Sequence, residues 1–183
     1  MPNHLSITGS SIKGDAVAGD KHVYEAQLTP LQEAIDRIVV AYDGEEKLLG
    51  VIDELAEYIT DRPDRKVIGL EAKLQLGDRN ELFENARYLK NKFERKLAKQ
   101  QVSPVAQRVY VQVLSSITNA FDHRVRPLII DERDKAEIDA VIDEEVIQPV
   151  YRAITRFDDM ATPQDISGML YFLTGKCHLV WSK

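Results

Sequence analysis

Cysteine occurs once in the 183 residues, at Cys177, so no disulfide can form within the chain. No apolar run approaches the length of a membrane span, so a membrane-crossing helix is not expected. The opening residues, MPNHLSITGSS, lack the basic flank and apolar block of a secretory leader, and a cytoplasmic location is expected. Excess positive charge is also missing. The net charge of −6 argues against nonspecific binding of nucleic acid by the whole molecule. Neither the GxxxxGK[ST] nor the GxGxxG phosphate-binding pattern occurs, and no serine stands in a GxSxG nucleophile elbow. Hydrophobic residues make up 44% and charged residues 30%, which is enough apolar material for one folded domain with a core.

Residues 7–21, ITGSSIKGDAVAGDK, carry glycine at Gly9, Gly14 and Gly19 and an aliphatic residue at Ile7, Ile12 and Val17. The glycines permit sharp bends or close backbone approach, while the aliphatics project at equal intervals. Such a repeat suggests a coil of short β segments. Three units leave edge groups unpaired and apolar faces uncovered, so closure invites several chains around a shared axis. The alternative is a flexible Gly/Ser/Asp linker, which has no need of regularly spaced aliphatics.

Beyond Leu28 the pattern is helical. Thr29-Pro30, Ser103-Pro104 and Thr162-Pro163 each place a capping hydroxyl before a proline suited to the first helical position. Gln32 stands at capping-box distance from Thr29. Apolar stripes of helical period predict helices over Pro30–Tyr42, 45–60, a shorter one from Asp64, Asn80–Gln100, Pro104–Asp122, Asp134–Gln148 and Pro163–Thr174. Gly77 and Gly175 are placed to cap helix C-termini. Pro127 should start a new segment, and Pro149 should kink or restart a helix. The ending CHLVW alternates and predicts a short strand with Cys177, Leu179 and Trp181 on one side.

Charge is unevenly spread. Residues 87–108 hold seven basic residues against Glu94, and residues 131–145 hold eight acidic residues against Arg133 and Lys135. Charge runs of this kind form solvated helix faces, here of opposite sign; the sharper reading is head-to-tail docking between copies or a basic groove for a partner. No convergence of residue types reaches the level of an active site. On a strand, Cys177 and His178 would point to opposite faces, a poor geometry for a shared metal. His123, between Asp122 and Arg124, suits a helix terminus better than a general base.

The segments GDAVAGDK (14–21), GLEAKLQLGDRNELFENARYLKNKFERKLAKQ (69–100) and GMLYFLTGKCHLVW (168–181) together resemble the C-terminal domain of effector proteins in bacterial ABC-three-component conflict systems, the group that includes Lamassu-type antiphage operons. The resemblance implies a domain that couples an effector to an SMC/Rad50-like ATPase sensing foreign or abnormal DNA, together with a small middle component. In the family an enzyme usually precedes the glycine repeat. Here six residues do, which implies an effector carried on another chain or one removed in cis.

The expectation is a mainly α, bundle-like fold of about six to eight helices, with residues 29–183 as a partner-binding domain. Residues 1–28 are expected to form a β-like oligomerisation segment. The function expected is a non-catalytic oligomerisation and adaptor module, homo-oligomeric, without cofactor or metal. Ile7, Gly9, Ile12, Gly14, Val17 and Gly19 would gather copies; Arg87, Lys90, Arg95, Lys96 and Lys99 would dock a partner. The rivals are a nucleic-acid-binding adaptor using the basic helix, and an enzyme with a site at Asp122, His123 and the Asp158–Asp159 pair.

Overall fold

The computed structural model describes residues 28–45, 50–61 and 69–183. In chain order these form α1 (Pro30–Tyr42), α2 (Asp53–Ile59), α3 (Gly69–Leu76), a 3-10 turn (Asn80–Leu82), α4 (Phe83–Gln100), α5 (Pro104–Ala120), a π-turn (Phe121–Val125), α6 (Arg126–Ile130), α7 (Lys135–Val141), a second π-turn (Ile142–Ile147), α8 (Gln148–Ile154) and α9 (Pro163–Gly175). Among the described residues there is no strand. The glycine repeat and the start expected at Asp64 lie outside them.

Helix starts follow the local chemistry. Thr29 accepts from the Gln32 amide at 3.3 Å, and Gln32 Oε1 accepts from the Thr29 amide at 2.8 Å, closing a capping box. Ser103 Oγ accepts from the Ala106 amide at 3.2 Å. Thr162 and Asp165 form a second capping box. Each cap satisfies donors that the first helical turn leaves orphaned, at a gain of about 1 kcal/mol. Residues 46–49 lie outside the described residues; from Gly50 on, the helix expected over 45–60 is realised only as α2, which opens at Asp53. Buried Gln107 accounts for this, since its side chain accepts from the Ile52 amide at 2.7 Å and donates to the Gly50 carbonyl at 2.8 Å, holding residues 50–52 out of the helix.

Pro127 and Pro149 do not break the chain into new segments. Proline lacks an amide donor and crowds the carbonyl four residues back. In both places the helix widens to a π-turn just before the X-Pro pair: the Arg126 amide bonds to the Phe121 carbonyl, and the Gln148 amide to the Asp143 carbonyl. The i→i+5 bond absorbs the defect, so α5 runs into α6 and α7 into α8 as continuous rods. The two π-turns pack against one another, burying Phe121, Val125, Val146 and Ile147.

Three helices end in a left-handed residue that is not glycine: Asp78 after α3, Glu132 after α6 and Cys177 after α9, with φ of 53°, 54° and 64°. All three carry the paired bonds of a Schellman motif, such as Arg79 N–H to the Leu74 carbonyl and His178 N–H to the Leu173 carbonyl. The glycines expected as caps sit one and two positions earlier. Gly77 instead supplies space, because a Cβ there would stand 2.6 Å from the Trp181 carbonyl oxygen.

That contact also corrects the expected C-terminal strand. The left-handed turn at Cys177 diverts the chain, and residues 177–181 run as an irregular segment pressed onto α3. Cys177, His178, Leu179 and Trp181 are all buried, so the apparent alternation is not one of inside and outside. Lys73 Nζ donates to the Leu179 carbonyl at 2.9 Å, and Trp181 Nε1 donates to Thr174 Oγ1 at 2.9 Å. The Trp181 ring lies 5.2 Å from that of Phe121. Among the described residues, side-chain hydrogen bonds and aromatic contacts hold the segment in place.

At the centre α4 packs on α9. Ala86, Leu89, Phe93 and Leu97 form the expected buried stripe of α4, and Ile166, Met169, Leu170 and Leu173 face it from α9. Val109, Val113 and Ile117 of α5 complete the same core, against which Ile35 of α1 and Leu55 of α2 are buried. A Cβ at Gly168 would stand 2.7 Å from the Leu89 carbonyl oxygen. Gly168→Ala is expected to force α4 and α9 apart and to lower unfolding free energy by about 1–3 kcal/mol in a urea titration. Glu132→Gly, at an exposed left-handed position, is expected to raise it by roughly 0.5–1 kcal/mol in the same measurement.

Candidate interaction surface

Helix α4 carries the basic residues singled out above, and the fold divides them. The stripe that packs on α9 leaves Lys92 and Lys96 at its edge, turned toward the α9 N-terminus. Lys92 Nζ lies 2.9 Å from Asp165 Oδ1, and Lys96 Nζ lies 2.6 Å from Asp158 Oδ2 and 3.9 Å from Asp165 Oδ2. Lys90 pairs with Glu94 at 2.7 Å, and its stem lies along Gly175. Lys92 and Lys96 tie α4 to the start of α9 and the turn before it, and Lys90 lies along the end of α9. Among the described residues, no ion pair joins the basic run at 87–108 to the acidic run at 131–145.

Arg87, Arg95 and Lys99 face solvent. Arg87 pairs with Glu84 and lies over the Phe83 ring at 5.5 Å. Arg95 and Lys99 make no ion pair among the described residues. Tyr88, 62% exposed, stands near the start of the helix, and Val102, 50% exposed, in the turn that follows its end. The outer face of α4 is therefore cationic with apolar ends, and it contains three of the five residues expected to dock a partner. Lys90 and Lys96 are half-buried and paired with Glu94 and Asp158.

Asp158 and Asp165 form the acidic side of the α4–α9 junction. Burial alone would push the Asp165 carboxyl up. Hydrogen bonds from Lys92 and from the Thr162 hydroxyl and amide, together with the Lys96 charge, outweigh burial and hold it below the usual carboxylate value. Burial, then the Asp158 and Asp165 charges, push the nearby Tyr110 hydroxyl up, so it remains protonated. Sequence reasoning marked Thr162-Pro163 but passed over Asp165, whose capping-box spacing from Thr162 was the available signal. Lys92 carried no such mark.

Of the residues named for a possible enzyme site, Asp122 has a buried Oδ1 with no hydrogen-bond partner among the described residues, and two others are engaged. His123 Nδ1 lies 2.9 Å from the Asn119 carbonyl one turn back, and Asp158 is held by Lys96. No group of three or more His, Cys, Asp or Glu placed to hold a metal occurs among the described residues. None of the helices described is long and apolar enough to cross a membrane. Ile7, Gly9, Ile12, Gly14, Val17 and Gly19 lie outside the described residues.

Because the Asp165 carboxyl titrates lower in the native chain than in the unfolded one, its contribution is complete above the ordinary carboxylate range. It is lost as pH falls through the depressed native value. Asp165→Asn is expected to cost about 2 kcal/mol at neutral pH, since it removes the carboxylate that holds Lys92 and weakens the capping box with Thr162, and to flatten the loss of stability between neutral and acid pH. Urea midpoints measured across that range for both proteins check this; parallel curves would contradict it.

Residues 69–181, which include α3 to α9, match the family described as C-terminal domain 9 of the ABC-three component (ABC-3C) systems. No curated protein and no solved structure is similar enough to the chain to count as a match. The matched region is more than half of the chain and contains both the α4–α9 pair and the segment clasped by α3. On that match, the chain belongs to the C-terminal domain 9 family of ABC-three-component systems.

Proposed function

We infer that the chain is a non-catalytic assembly module of a bacterial antiphage defence complex, coupling an effector to an SMC/Rad50-like ATPase and a small middle component. Membership of the ABC-three-component family carries this reading, because a system of three components requires surfaces through which its parts meet. The helical body is the docking unit, and the outer face of α4 supplies a cationic surface through Arg87, Arg95 and Lys99. The glycine repeat at 7–21 gathers copies through Ile7, Ile12 and Val17. Joining the two raises the effective concentration of each weak contact, so assembly needs neither to be tight alone.

Solution mass tests the assembly half of this reading. The full chain is expected to be multimeric, and a chain lacking residues 1–24 to have the mass of one protomer. Equal masses would remove the repeat from the mechanism. Charge reversal at Arg87, Arg95 and Lys99 is expected to weaken capture of the ATPase by about tenfold without changing that mass. Undiminished capture would remove the α4 face.

A further inference from the structure

A cleft of about 230 Å³ opens where α1 and α2 meet α5. Ile38, Tyr42, Ile52 and Val111 give it an apolar lining, and Arg108 is the one cation in its wall. The cleft adjoins a more open groove along α1, with which it shares Ile38, Tyr42 and Gln112 and which continues over Ala34 and Ala41. Apart from Arg37, which pairs with Glu33 in the solvent, that groove carries no charge.

Arg108 is half-buried and makes no ion pair or hydrogen bond among the described residues. Its guanidinium carbon lies 4.1 Å from the centroid of the Tyr42 ring. A ring over one face holds the guanidinium flat and leaves its edge, where the N–H bonds point, for an acceptor. Its Nε is buried, but Nη1 and Nη2 keep contact with solvent, and an incoming group reaches those two. Glu54, the one acid of the lining, stands on the exposed first turn of α2 and does not pair with it. A fixed guanidinium whose outer N–H groups have no anion is ready to take a carboxylate, whose two oxygens match two parallel donors.

We propose that this cleft docks the C-terminal tail of a partner protein: the terminal carboxylate accepts from Nη1 and Nη2 of Arg108, and an aliphatic last side chain sits among Ile38, Ile52 and Val111. The preceding residues run along α1 past Ala41 and Ala34. The cavity is smaller than the clefts that hold drug-sized ligands and suits a single side chain. A C-terminal residue carries its carboxylate and its side chain on one Cα, so a cavity of that size beside a single cation accommodates both. An internal Asp or Glu would need a second residue to fill the apolar lining. A free inorganic anion would leave that lining wet, and a phosphate dianion would also face Glu54. The site stands apart from the assembly reading: its ligand can bind or fail to bind whatever the solution mass of the protein.

Titration calorimetry on the full chain tests this with acetyl-Ala-Ala-Ala-Ala-Leu as the free acid and as its C-terminal amide. Saturable binding of the acid is expected, and binding weaker by about tenfold or more for the amide. Arg108→Gln is expected to abolish the difference between the two. Glu54→Gln removes the acid beside the site and is expected to tighten the free acid by about two- to threefold, a change that a purely structural role of Arg108 would not produce. Ala41→Glu, an exposed substitution in the neutral groove, is expected to weaken the free acid by about threefold or more with the fold retained. It keeps the test readable should the Arg108 variant fail to fold. No saturable binding of the acid, equal binding of the amide, or displacement of the acid by an equal concentration of inorganic phosphate would each overturn the proposal. So would equal affinity for acetyl-Ala-Ala-Glu-Leu-Ala-amide, which would mark an internal acid as the ligand.

Discussion

At Gly168 the backbone of α9 comes so close to that of α4 that a methyl group would meet the Leu89 carbonyl. Much else in the domain depends on this approach. It lets Phe93 wedge between Tyr110 and Phe172 in edge-on contacts, with ring centroids 5.8 and 5.3 Å away. It also sets Lys92 and Lys96 within reach of Asp158 and Asp165, so that ion pairing seals the rim of an apolar contact. A wider spacing would weaken both together, since dispersion and charge-assisted hydrogen bonds decay over the same few tenths of an ångström.

The parts of this fold that were legible in the sequence are those decided within one or two helical turns. A hydroxyl followed by proline starts a helix for reasons confined to the first turn, and all three such starts are realised. The α4 stripe is equally plain, because one face of one helix meets one neighbour. Merging α5 with α6 and α7 with α8 leaves seven rods among the described residues, in keeping with the reading of a mainly helical, bundle-like domain. The misreadings have distant causes. Alternation in CHLVW resembles a strand only until α3 is seen to lie over it. Gly77 resembles a cap, but its smallness serves a residue more than a hundred positions away. The prolines look like breaks because nothing local announces that a wider turn will absorb them.

The same division applies to the interaction surface. Arg87, Arg95 and Lys99 are solvent-facing as a run of basic residues suggests. Lys96 is not, because its acidic partners arrive from the far end of the chain. Arg108 escaped notice for a related reason: one arginine at the end of a basic run carries no pattern of its own. Its significance arises only when the Tyr42 ring of α1 is brought against it.

The clasp between α3 and residues 179–181 has a consequence for synthesis. Lys73 cannot find the Leu179 carbonyl, nor Gly77 its place under Trp181, until both have left the ribosome. Contacts this far apart in sequence form late, after their loop-closure entropy has been met. Until residues 179–181 have emerged, the part of α3 that they cover stays exposed, and the nascent domain carries that apolar surface uncovered.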